Sequence, residues 1–193
     1  MIVDKGEIIK EICLKLLENS KDDCRTITLE KYPFTSYSAE KRRYSPFQQI
    51  KVFLRDGFID RYSGQKLLFP GIFRILKIDL PDVFPAHLNW KMTDTHMVYW
   101  ELFPTIDHIY PIARGGKDSE DNWTTTSMLK NSAKSNWTLE EMGWTLQAPG
   151  DLHEWDGLSK IFIDLVQSNT GLLVDPYIKK WHSALTRAHL KPP

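Results

Sequence analysis

Apolar residues recur at helical spacing near both ends of this 193-residue chain, while proline and glycine cut its middle into short pieces. Ile8, Ile9, Ile12, Cys13, Leu16 and Leu17 share one face of a helix predicted over residues 6–17. Asn19-Ser20 and Lys21-Asp22-Asp23 should end it. Ser45-Pro46 suits the start of a second helix running through Ile50, Val52, Phe53 and Leu54. Leu158, Ile161, Phe162, Leu165 and Val166 form a third stripe; Ile178, Trp181, Leu185 and Ala188 form a fourth. Between these ends, Asp56-Gly57 and Tyr62-Ser63-Gly64-Gln65 read as turns. Residues 67–69 and 72–78 read as short strands around Pro70-Gly71, and residues 96–103 as a further strand. Residues 126–134 read as a helix, and Thr138 with Glu141 three positions on reads as a capping box. Gly150 breaks the chain before the last two helices, which either brace the core or form a dimer contact. The pattern predicts an α+β fold.

A chain of this length can bury roughly two-thirds of its unfolded surface, so it needs no metal or disulfide staple to fold. Its 41% apolar and 12% aromatic content exclude a disordered chain. With 25 basic and 25 acidic side chains the formal net charge is zero, which argues against a non-specific nucleic-acid coat and leaves local clusters to carry any such contact. Cys13 and Cys24 are too few for a disulfide framework or a four-sulfur zinc site, and Cys13, in an apolar periodic segment, is expected to be buried. Met1-Ile2-Val3-Asp4-Lys5 lacks a signal peptide's apolar core and no run reaches membrane-spanning length, so cytoplasmic residence is expected.

The residue types able to do chemistry gather after residue 105. Asp107 and His108 are neighbours, Gly115-Gly116 marks a tight turn, and Asn122 and Asn131 follow. If His108 ends the first strand of a hairpin, alternation points Asp107 and His108 to opposite faces. Both can still serve one centre if the strand end is twisted and a helix closes over it. A carboxylate such as Asp107 is a hard oxygen ligand, and an imidazole can take a proton from water attacking phosphorus. An amide oxygen from Asn131 could complete the ligand set. Asn122 is placed to bond the backbone and fix the turn. Arg114 and Lys134 are candidate phosphate clamps, and Lys41-Arg42-Arg43 forms a basic patch that could touch DNA. Each residue taken singly also fits a plain role as turn, cap or solvated charge.

Their order and spacing are more specific. Asp107-His108-Ile109-x-Pro111-x-x-x-Gly115-Gly116, then Asp121-Asn122-Trp123, then Asn131-x-x-Lys134, resembles the HNH nuclease motif. The resemblance implies two antiparallel strands and a helix around a metal, the ββα-metal module. His108 would then be the general base, Asn122 the residue that steadies the loop, and Asp107 with Asn131 the ligands of a catalytic metal. Magnesium is the first choice, with manganese or nickel as alternatives. The implied reaction is hydrolysis of double-stranded DNA to 5′-phosphate and 3′-hydroxyl ends.

The resemblance covers roughly residues 50–138 and reaches upstream to Arg55–Gly64. Many relatives carry a Cys-x-x-Cys-Gly knuckle there and a second Cys-x-x-Cys before the final Asn. Here the matching positions are Asp60, Ser63, Ser127 and Lys130. None is a thiol, so no structural zinc is expected and core packing should take its place. The resulting organisation is an N-terminal helical and accessory region over 1–49, a nuclease core over 50–145 with an insert at about 70–103, and a C-terminal helical region over 146–193. A restriction enzyme acting as a homodimer is the favoured use. A homing or phage-type nuclease, or a catalytically silent DNA-binding protein on the same scaffold, are the alternatives.

Overall fold

The computed structural model describes residues 4–37 and 44–190. The basic patch Lys41-Arg42-Arg43 lies outside the described residues. The chain divides into two compact units, residues 1–38 and residues 39–193.

The first unit is a helical hairpin. Helix α1 (Lys5–Leu17) starts where Asp4 accepts the Gly6 and Glu7 amides, and α2 (Lys21–Lys31) follows after Asn19, which takes a left-handed φ of 59°. The Lys21-Asp22-Asp23 run therefore opens a second helix as well as following the first. Acidic residues in a first turn complement the helix dipole, which the apolar pattern alone does not register. Cys13 is exposed, contrary to the sequence expectation. The buried thiol is Cys24, whose Sγ donates to the Ile12 carbonyl at 3.5 Å.

In the second unit α3 (Pro46–Arg55) opens with a full capping box between Ser45 and Gln48 and buries Ile50, Val52 and Phe53. The chain then turns sharply at Gly57, whose φ is +69°. A Cβ there would sit 2.2 Å from the Gly150 carbonyl oxygen, so only glycine fits. Residues 67–69, expected as a strand, form none; they thread the core as irregular chain, their amides donating to the Phe58, Leu102 and Gly157 carbonyls. The next run is not a strand but a helix, α4 (Pro70–Asp79). Pro70 occupies the helix start, where its missing N–H costs nothing, and Ile72, Phe73 and Ile75 point inward. Gly71 lets α4 approach closely, since a Cβ would meet the Phe162 ring at 2.3 Å.

The predicted strand at 96–103 is likewise corrected. Val98–Glu101 forms one helical turn, α5, and the strand β1 begins later, at Pro104–His108. It pairs antiparallel with β2 (Trp123–Ser127), Pro104 opposite Ser127 and His108 opposite Trp123. Helix α6 (Met128–Lys134) follows at once, so 126 and 127 belong to the strand and not to the helix as expected. Three consecutive β-branched threonines favour the pleated conformation, and Ser127 caps α6 by accepting the Lys130 amide. Short α7 (Leu139–Met142) carries the expected capping box of Thr138 and Glu141.

Helices α8 (Ser159–Ser168) and α9 (Pro176–Leu190) close the core, as one of the two sequence readings held. Phe162 and Val166 of α8, and Ile178, Trp181, Ala184, Leu185 and Ala188 of α9, pack with Phe53, Phe58, Phe69 and Phe73 in one cluster. Phe69 sits at its centre, 4.7 Å from Phe162 and 5.9 Å from Trp181 between ring centroids. Two strands and helices in one unit make the fold α+β, with a ββα arrangement of β1, β2 and α6. No described helix is long and apolar enough to cross a membrane.

Candidate active site

The hairpin loop between β1 and β2 is shaped by Asn122 and two glycines. Asn122 Oδ1 accepts the Tyr110 amide at 2.8 Å, and its Nδ2 donates to the Tyr110 and Lys117 carbonyls at 2.9 and 2.8 Å. Gly115 takes a φ of 94°, and a Cβ on Gly116 would fall 2.0 Å from the Tyr110 carbonyl oxygen. These contacts fix the end of β1, where Asp107 and His108 stand.

The two side chains lie on opposite faces of the strand, as alternation requires. On the face covered by α6, Asp107 Oδ2 accepts the Tyr62 hydroxyl at 2.7 Å and faces Lys134 Nζ at 2.9 Å. Burial raises the Tyr62 pKa above its ordinary value, and the Asp107 charge and hydrogen bond raise it further, so Tyr62 stays a donor. Lys134 is fully buried and also donates to the His108 carbonyl at 2.7 Å. The surface phosphate contact expected of Lys134 is therefore corrected. An ammonium packed between α6 and β1 serves the carboxylate beside it and does not reach solvent.

Asn131, three residues earlier on α6, shares that face. Its Nδ2 donates to Thr105 Oγ1 at 3.0 Å and to the Ile106 carbonyl at 3.3 Å. Those bonds fix the amide so that Oδ1, like Asp107 Oδ1, takes no hydrogen bond among the described residues. One carboxylate oxygen and one amide oxygen fit a hard divalent cation. Among the described residues no group of three His, Cys, Asp or Glu side chains is placed to hold a metal. Any ion at Asp107 and Asn131 would thus keep several water or phosphate ligands, as magnesium does.

On the other face His108 is 4% exposed and meets a residue the sequence reading did not select, Asp118. Asp118 Oδ1 lies 2.9 Å from His108 Nε2, and it accepts the Tyr44 hydroxyl at 2.9 Å and the Trp123 indole N–H at 2.7 Å. Burial pushes the Asp118 pKa up, but the hydrogen bonds from His108, Trp123 and Tyr44 outweigh it and hold the carboxyl below its usual range. Its only sequence signal is an acid four positions before Asn122, in the hairpin loop. Tyr44 Oη also lies 3.2 Å from His108 Nε2. Arg114 forms an ion pair with Glu141 at the start of α7. That hydrogen bond, with those from Thr138, pulls the Glu141 pKa down to about 2.

The positions where relatives place thiols are joined directly. Asp60, fully buried, accepts the Tyr62 amide on Oδ1 at 2.9 Å, and the Ser127 amide and Thr126 hydroxyl on Oδ2 at 2.9 and 3.1 Å. Asp56, also fully buried, accepts the Thr125 amide at 2.7 Å and is flanked by Arg55 and Arg61. Lys130 places its ammonium 4.9 Å from the Trp144 ring centroid. Two buried carboxylates, more than the apolar packing expected from the sequence, tie the 56–64 turn to β2.

A paired hairpin, a helix laid across it and a histidine at the strand end make a ββα arrangement. Residues 94–139 match the model of the HNH endonuclease family, a span that takes in β1, the loop, β2 and α6. The match covers about a quarter of the chain, and over that span the chain is similar to HNH endonucleases. No curated protein and no solved structure matches the chain.

Proposed function

We propose that the chain is a metal-dependent endonuclease that hydrolyses phosphodiester bonds in double-stranded DNA, with site-specific restriction as its use. The observation that carries this reading is the join of motif and geometry. His108 ends β1 beside a loop locked by Asn122, and Asp107 and Asn131 each offer one oxygen without a hydrogen bond among the described residues, on the α6 face of the same hairpin. His108 would take the proton from the attacking water. Asp107 and Asn131 would hold magnesium, which when bound stabilises the negative charge that builds on the phosphate. Asn122 keeps the strand end in place. Arg114 and the Lys41-Arg42-Arg43 patch are the proposed contacts to flanking phosphates. Cutting both strands of a duplex calls for two equivalent sites, which a symmetric dimer supplies.

Incubating the purified protein with plasmid DNA tests the reading. Cleavage that requires magnesium and stops with chelator supports it, and discrete fragments favour site-specific cutting. Intact plasmid under all divalent ions would refute it. One observation favours a second reading, a silent DNA-binding scaffold: Lys134 already places a cation 2.9 Å from Asp107. DNA binding without cleavage, and without any metal uptake in calorimetry, would select that alternative.

A further inference from the structure

We propose that Asp118 is a positioning residue for His108. It holds the ring as the Nε2–H tautomer, so that Nδ1 is the nitrogen that takes the proton from water. This rests on the nuclease reading above and specifies which atom of the base acts and what sets it.

The argument starts from the donors around one oxygen. Asp118 Oδ1 has three neighbours within hydrogen-bond distance: Trp123 Nε1 at 2.7 Å, Tyr44 Oη at 2.9 Å and His108 Nε2 at 2.9 Å. The indole nitrogen can only donate. An ionised carboxylate oxygen can only accept, so a ring nitrogen 2.9 Å away must carry a hydrogen between them. If Nε2 held a lone pair instead, two acceptors would face each other at that distance beside a buried ring. The Tyr44 oxygen, 3.2 Å from Nε2, fits the same assignment, because its own hydrogen goes to Asp118 and its lone pair can share the Nε2 hydrogen.

In the neutral ring one nitrogen donates and the other accepts. With Nε2–H committed to Asp118, the lone pair sits on Nδ1, which makes no hydrogen bond among the described residues. In the chemical step the water oxygen bonds to phosphorus as its proton passes to Nδ1. The bond from phosphorus to the 3′ oxygen breaks, and that oxygen takes a proton from solvent. The ring is then an imidazolium, and the carboxylate at Nε2 stabilises the charge it has gained. Trp123 and Tyr44 keep the carboxylate from rotating away. Trp123 is paired directly opposite His108 in the sheet, and Tyr44 packs edge-on to it at 4.9 Å, so sheet register holds the whole group.

Two measurements on the full chain test the proposal. Long-range 1H–15N correlation on protein with 15N-labelled histidine, with His108 identified by its loss in His108→Gln, should show the Nε2–H tautomer. The second uses Asp118→Asn, which retains an acceptor for Trp123 but can present either an oxygen or an N–H to the ring. By analogy with a carboxylate-to-amide change beside a catalytic histidine, kcat should fall roughly 10²- to 10⁴-fold, with KM nearly unchanged. The ring signal should move toward Nδ1–H. A Nδ1–H ring in an active wild type would overturn the positioning role, as would Asp118→Asn cleaving at the wild-type rate or faster. Failure of the wild type to cleave DNA would overturn the nuclease reading itself, and the base role with it.

Discussion

Replacing Asp60 by alanine should destabilise the 39–193 unit by about 3 kcal/mol, and the structure says why. The carboxylate is fully buried and accepts three hydrogen bonds. The Thr126 hydroxyl can rotate toward another acceptor once it is gone. The Tyr62 and Ser127 amides cannot, and a buried donor left without a partner costs roughly 1–3 kcal/mol. Two such amides give about 2–6 kcal/mol. Removing the carboxylate also relieves part of the penalty for burying a charge, which brings the sum toward the lower half of that range. For a unit of this size about 3 kcal/mol lowers the unfolding midpoint by roughly 6–12 °C. All seven tryptophans lie between residues 90 and 181, inside that unit, so intrinsic fluorescence follows its unfolding without a contribution from residues 1–38. Asp60→Asn, which keeps one acceptor, should lose about half as much, and the exposed control Asp164→Ala should stay within about 0.5 kcal/mol of wild type. A loss below about 1 kcal/mol for Asp60→Ala would refute the claim that this carboxylate ties the 56–64 turn to β2.

Three other outcomes are expected. Asn122→Ala removes three hydrogen bonds at a half-exposed loop and should cost about 1–2 kcal/mol in thermal unfolding while lowering cleavage more than DNA binding. Asn131→Ala should shift the magnesium titration of cleavage to higher concentration, and an unshifted curve would remove Asn131 from the ligand set. Glu141 has a pKa depressed from 4.5 to about 2, so its contribution is complete above pH 4.5 and is lost as pH falls toward 2. The Thr138 amide, which donates to Glu141, should show its NMR shift titrating with a midpoint near pH 2, and Glu141→Gln should abolish the movement.

Much of this architecture could be read from the chain because the informative contacts are local. The stripes in α1, α3, α8 and α9, the helix start at Ser45-Pro46 and the capping box at Thr138 are short-range patterns. So is the order of Asp107, His108, Gly115-Gly116, Asn122 and Asn131. Helix α4 was misread because residues 72–78 form a short apolar run, which periodicity cannot assign. Its inward face packs against Phe162, and Gly71 meets that ring across more than ninety residues, a contact with no local sign. Asp56 and Asp60 meet β2 only in the folded chain, and Asp118 meets Tyr44 from a distant segment, so their roles carry no local sign. Lys134 misled for a related reason. Spacing placed it on the correct side of α6, but its burial depends on Asp107 and the His108 carbonyl being there to receive it.

Plasmid cleavage by His108→Ala against wild type, in magnesium and with protein of matched fold, tests the central claim most directly. The account predicts that the variant binds DNA and unfolds as wild type does, yet cuts at least about 100-fold more slowly, the loss expected on removing a general base. Cleavage by the variant at the wild-type rate would contradict it.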